Sequence, residues 1–148
     1  MKYYFAYGSN MGAVQMSKRC PGAVKVGFAR LPDYRWIISV RGYANIVQAK
    51  GDAVEGILYT LPKTDEAALD GFEGVAAGCY EKAMLTVQHR GVELKALVYV
   101  DPTAGEGAPQ EEYIHRINAG VTDADLTPHY VARSIRQYVP GAEQGEKA

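Results

Sequence analysis

The sequence predicts a single α+β domain built on a mixed sheet, and three observations carry that reading. The 148 residues contain no internal repeat and no linker, and a chain of this length buries roughly 70% of the surface it exposes when unfolded. Runs rich in aromatic and β-branched residues recur between Gly, Pro and Asp punctuation, as strands do. Segments with helical spacing and cap residues fall between and after them. Periodicity alone allows the sheet to be open or closed into a barrel.

The elements follow in order. Residues 2–7 read as a strand by their aromatic content, and residues 11–19 as a short helix stopped by Pro21 and Gly22. Residues 24–31, 34–40, 43–48 and 54–61 are further strands. In "YRWIISV" the side chains of Tyr34, Trp36, Ile38 and Val40 share a face, yet Ile37 is apolar as well, which predicts a strand covered on both sides and helices lying over the sheet. "TDEAALDGF" supplies one, with Thr64 as N-cap, Asp65 and Glu66 where the dipole favours anions, and Leu69 and Phe72 for packing. Residues 80–88 and 92–100 form a hairpin around His89, Arg90 and Gly91, followed by a surface loop over 101–109. Residues 109–126 and 127–139 read as two helices, the second with Thr127 as N-cap and Pro128 in its first turn. The domain therefore spans 1–139, and 140–148 is expected to be a flexible tail.

Charge and composition exclude several functions. A net charge of −1 without blocks of like charge gives no footprint for nucleic acid or a membrane surface. No stretch of eighteen apolar residues and no leader-like segment occurs, so a cytoplasmic protein acting on a small molecule is expected. Cys20 and Cys79 are too few and too separated for a disulfide framework or a zinc site and read as buried or partly buried thiols. His89, His115 and His129 lack metal-ligand spacing, and neither a Walker A loop nor a Gly-x-Ser-x-Gly elbow is present. "GEGAPQ" imitates a dinucleotide fingerprint but lacks the third glycine and has a proline where the helix must open. No metal is expected.

Two stretches are candidates for chemistry. In "FAYGSNM" a strand gives way to a helix through Gly8, Ser9 and Asn10, where backbone N–H groups have no intrahelical partner and suit anionic oxygen. Helix cap and ligand clamp are both open readings of that turn. In "LDGFEGVAAGCY" Glu73 stands among apolar and small residues, a setting that raises a carboxyl pKa toward the range useful in acid–base catalysis. Its alternative is a solvated loop residue, and Asp70, one turn earlier, reads as structural.

Together and in this order, "YFAYGSNM", "LDGFEGV" and "GCY" resemble the γ-glutamylcyclotransferase family in its broad sense. The resemblance extends through "GFARLPDYRWIIS", "GYANIV" and "VEGILYTL" to "PQEEYIHRINAG". It implies a small mixed β-barrel flanked by helices, with one cavity at the barrel's end. It also implies a reaction without cofactor, in which the α-amine of a γ-glutamyl group attacks its own γ-carbonyl, expels the attached amine and leaves 5-oxoproline. Residue by residue, it implies that Tyr7, Gly8, Ser9 and Asn10 bind substrate, that Glu73 is the acid–base residue, and that Tyr80 and Tyr113 are substrate-side tyrosines. Three substrate classes follow: γ-glutamyl amino acids, which the Tyr-Gly-Ser-Asn form of the turn favours, γ-glutamylamines such as an ε-linked lysine adduct, and γ-glutamyl groups on a biosynthetic intermediate. The leaving-group pocket is expected to draw on the 101–109 loop. A non-catalytic module binding another small metabolite in the same cavity is the competing reading. Exposed apolar residues on an edge strand would support a homodimer.

Overall fold

In a computed structural model, described for residues 1–103 and 105–141, the sheet closes. Strands β1 (Lys2–Ala6), β2 (Val24–Ile38), β3 (Ala44–Leu61), β4 (Glu81–His89) and β5 (Val92–Val100) form a barrel in the order β1-β3-β2-β4-β5. Neighbours are antiparallel except at the closure, where β1 meets β5 in parallel, Tyr4 opposite Leu97. The α+β barrel is thus the form the sheet takes.

The four middle strands read from sequence are two long ones. Register shifts lie between Lys25 and Gly27 and between Pro32 and Tyr34. At the second, Asp33 adopts a left-handed φ of 65° and its Oδ1 accepts the Gly51 N–H at 3.0 Å. Pairing resumes on both sides of this irregularity, Pro32 with Ala53 and Tyr34 with Gln48, so punctuation that reads as a strand end is a bulge that bends the sheet toward closure. Between β4 and β5, Arg90 and Gly91 both have positive φ and make the two-residue turn that fits the strand twist.

By register Phe5, Ala29, Leu31, Leu58, Val87 and Val98 share the inner face of the barrel, and all are essentially inaccessible. Trp36, Ile37 and Ile38 are buried, as a strand covered on both faces requires, but Val40 lies beyond β2 and is exposed. Helix α1 (Ala13–Arg19) starts two residues later than expected, because Ser9–Met11 form a 3₁₀ turn and Gly12 interrupts. Helix α2 (Lys63–Phe72) is N-capped by Pro62 rather than Thr64, and Phe72 is exposed while Leu69 packs. Helix α3 spans Glu111–Ala124, and α4 (Pro128–Tyr130) begins after Thr127 with proline in its first turn, then continues as a π-helical segment, Val131–Ile135. The Thr127 hydroxyl donates to Glu55 instead of capping its helix. Of the expected tail, Pro140 and Gly141 are described and 142–148 lie outside the described residues. Among the described residues no helix is long and apolar enough to cross a membrane.

Candidate active site

The 3₁₀ turn after β1 is held from several directions. Asn10 is buried, its Oδ1 accepting from Gln15 Nε2 at 2.9 Å and Arg19 Nη1 at 3.2 Å, while its Nδ2 donates to Tyr4 Oη at 2.9 Å and reaches Glu73 Oε1 at 3.4 Å. Gln15 Nε2 also donates to Ser9 Oγ at 2.7 Å. Neither Ser9 nor Asn10 caps a helix with its side chain; Asp123 of α3 does that for α1, accepting the Ala13 N–H at 2.8 Å. The cap reading of the turn therefore fails. Gly8 permits the packing around it, since a Cβ there would stand 3.0 Å from Tyr113 Oη and 3.1 Å from Ala44 Cβ.

Glu73 is presented by the end of α2. Gly74, at φ 63°, takes the left-handed conformation, its N–H donating to the Gly71 carbonyl and the Val75 N–H to the Asp70 carbonyl. This is a Schellman cap, in which Glu, Gly and Val are the residue at the cap and the two that follow. It stops the helix with the Glu73 side chain against the turn. Burial pushes the Glu73 carboxyl up to about 7, against the opposing pull of Arg19 and Arg41. Asp70 faces elsewhere, accepting from Tyr99 Oη at 2.7 Å and Lys82 Nζ at 3.0 Å.

A cavity of about 300 Å³ brings the sequence-derived residues together: Tyr7, Gly8, Ser9, Asn10, Glu73, Tyr80 and Tyr113 all line it. Tyr7 Oη donates to the Tyr99 carbonyl at 2.5 Å and Tyr80 Oη to the Ala44 carbonyl at 2.8 Å. Each hydroxyl has thereby directed its proton to the backbone and offers lone pairs to the cavity, where an ammonium group could be received. Burial pushes the Tyr113 hydroxyl up to about 12, against hydrogen bonds from the Ala44 backbone and Ser9.

Sequence reading missed the cations. Arg19, Arg41 and Arg116 also line the cavity, and Glu73 is the one acid lining it among the described residues. In a chain of net charge −1 this is a local cationic surplus, suited to carboxylates. Arg19 stands 4.8 Å from the Phe72 ring centroid, Arg41 5.3 Å from that of Tyr80, and Arg116 5.4 Å from that of Tyr113. These arginines are far apart in sequence, and no local pattern there brings them together. No described residue of the 101–109 loop is among the lining residues; Asp101 acts through Arg41, and Glu106 and Gly107 tie the segment to Ser39 and Ile38. Among the described residues no cluster of three or more His, Cys, Asp and Glu side chains is placed to hold a metal ion. Cys20 and Cys79 are free thiols, one buried and one half-buried.

The family described as Gamma-glutamyl cyclotransferase, AIG2-like, matches residues 4–120. Gamma-glutamylcyclotransferase of Mus musculus is 32% identical over 138 residues, covering 86% of this chain and 73% of the relative, and that of Bos taurus is 30% identical over the same span. A solved structure of a gamma-glutamyl cyclotransferase superposes with a TM-score of 0.85 at 26% identity, covering 95% of this chain and 89% of the other.

Proposed function

The chain belongs to the gamma-glutamyl cyclotransferase, AIG2-like family, and from that premise we propose that it converts γ-glutamyl amino acids to 5-oxoproline and a free amine, with Glu73 as the acid–base group. The observation that carries this reading is the Glu73 carboxyl, tuned to about 7 and set in the same cavity wall as the Gly8–Ser9–Asn10 turn.

The chemistry needs little more. Nucleophile and electrophile belong to one molecule, so the cavity has mainly to hold a five-membered-ring geometry, and orientation of that kind is worth roughly 7–11 kcal/mol. The Glu73 carboxylate takes one proton from the substrate's α-ammonium, and the freed amine attacks the γ-carbonyl. In this reading backbone donors of the turn meet a carboxylate or the developing oxyanion. Glu73 then returns its proton to the departing nitrogen as the C–N bond breaks. The second proton lost from the ring nitrogen ends on the released amine as its ammonium form. One carboxyl serves both steps because its pKa lies near the working pH.

The test is release of 5-oxoproline from γ-glutamyl-alanine, glutathione and γ-glutamyl-ε-lysine. Turnover is expected on the first, and Glu73→Gln is expected to lower kcat by at least about 10²-fold with the fold retained by circular dichroism. A Glu73→Gln protein as fast as the parent would remove Glu73 from the mechanism. No product from any γ-glutamyl compound, with tight binding of an unrelated metabolite, would leave the binding-module reading instead.

A further inference from the structure

Among the three cavity arginines, Arg41 is the one built in place. Its Nε and Nη2 both reach Asp101 Oδ2, at 3.1 and 3.0 Å, and Nη2 also donates to the Cys79 carbonyl at 2.8 Å. The Asp101 side chain is 0% exposed. It is fixed in turn, its Oδ1 accepting the Thr103 N–H at 2.8 Å, and its backbone exchanging two hydrogen bonds with Asn45. Arg41 remains one-third exposed and lines the cavity, with Nη1 making no hydrogen bond among the described residues.

Such an arrangement is a poor device for stability. Burying a carboxylate with a guanidinium commonly gains less than apolar packing of the same volume would. It is a good device for holding a guanidinium still while one of its nitrogens faces a ligand. Position separates Arg41 from its neighbours. Arg19 is bonded to Asn10 and so belongs to the turn, and Arg116 pairs with Glu112 one turn away on α3. The Arg41 side chain is bonded to neither; it stands on the wall made by Cys79 and Tyr80, with Asp101 behind it.

We infer that Arg41, held by Asp101, forms a subsite for a carboxylate carried by the departing amine, and that it makes the enzyme discriminate among γ-glutamyl compounds by whether and where the leaving group bears that charge. The inference rests on the cyclotransferase reading and adds to it the residue pair that selects the leaving group. The glutamyl half is common to every γ-glutamyl substrate, so contacts to it cannot discriminate. A carboxylate next to the scissile nitrogen can.

The experiment compares kcat/KM for γ-glutamyl-alanine with that for γ-glutamyl-ethylamide, which lacks the carboxylate, in the parent, Arg41→Met, Arg41→Lys and Asp101→Asn proteins. The parent is expected to favour γ-glutamyl-alanine by about 10- to 100-fold, the worth of a hydrogen bond to a charged group. Arg41→Met should bring the ratio near one, chiefly through KM for γ-glutamyl-alanine. Arg41→Lys and Asp101→Asn should lower it partway, since each keeps a cation but weakens the charged contact through which two guanidinium nitrogens grip Asp101 Oδ2. A parent that treats both substrates alike overturns the inference, as does an Arg41→Met protein in which both fall by the same factor, the result expected if Arg41 held the common glutamyl carboxylate or only the fold. If Arg41→Met does not fold, an unchanged ratio in Arg41→Lys and Asp101→Asn overturns it equally. No 5-oxoproline from either substrate in the parent would defeat the cyclotransferase reading itself, a different result from turnover without discrimination.

Discussion

Burial raises the Glu73 carboxyl to about 7, and that single displacement makes activity and stability respond to pH in opposite senses. Catalysis starts from the carboxylate, so kcat/KM for γ-glutamyl-alanine should climb about tenfold per pH unit below that value and flatten above it. A profile flat between pH 5 and 8 would exclude Glu73 as the base. Stability runs the other way. The folded pKa lies above the unfolded one, so the native state holds an extra proton between roughly pH 4.5 and 7, and stability falls as pH rises through that window. The ceiling is near 3 kcal/mol, and solvent access to a half-buried group reduces it to about 1–2 kcal/mol. Glu73→Gln does not titrate, so its melting temperature should exceed the parent's by more at pH 8 than at pH 5. An equal difference at both would mean that the site does not desolvate Glu73. The sequence shows this residue's apolar neighbours, which is why its raised pKa is legible there; the opposing arginines reach it only through the fold.

Helix ends do most of the positioning, and they differ in how legible they are. Glu73-Gly74-Val75 can be read as a Schellman cap because the left-handed residue is a glycine. The bulges in β2 and β3 cannot be told from strand ends, because Pro, Gly and Asp serve both uses. Nor does local sequence reveal that α3 seats the turn. Gly120 of α3 is where they meet: a Cβ there would lie 3.1 Å from Met11 Cβ, 3.2 Å from the Gly8 carbonyl and 3.3 Å from the Gly12 nitrogen. Gly120→Ala sets two effects against each other. Helix propensity favours alanine by about 1 kcal/mol, while overpacking typically costs about 1–3 kcal/mol. The crowded atoms are mostly backbone and cannot swing away, so the second effect should win. The expected result is a melting temperature lower by roughly 2–6 °C and a raised KM as the turn is displaced. A variant more stable than the parent with unchanged KM would show that α3 does not hold the turn in place.

At the scale of the whole molecule, cavity residues arrive from β1, the 3₁₀ turn, the ends of α2 and β3, and α3. The order in which strands close the barrel, and the parallel meeting of Tyr4 with Leu97, have no local signature, because they depend on contacts between segments far apart in the chain, such as Arg30 with Gln88. Arg19, Arg41 and Arg116 become neighbours of one cavity by the same closure. A site assembled from so many segments should not outlive the barrel. The single tryptophan offers a way to test that. Trp36 is buried, and its Nε1 donates to the Tyr7 carbonyl at 2.9 Å, on the residue that opens the turn. Its fluorescence therefore reports the site, whereas far-ultraviolet dichroism reports the strands. Leu58, fully buried on β3 opposite Phe5, lies in the barrel rather than among the cavity residues. Leu58→Ala should remove about 2–5 kcal/mol and lower the melting temperature by roughly 5–20 °C. In parent and variant alike the two signals should shift together in one transition, with loss of 5-oxoproline formation at the same temperature. Fluorescence and activity lost several degrees before the dichroism would mean that the turn melts as a unit of its own, and that the barrel is a support for the site rather than part of it.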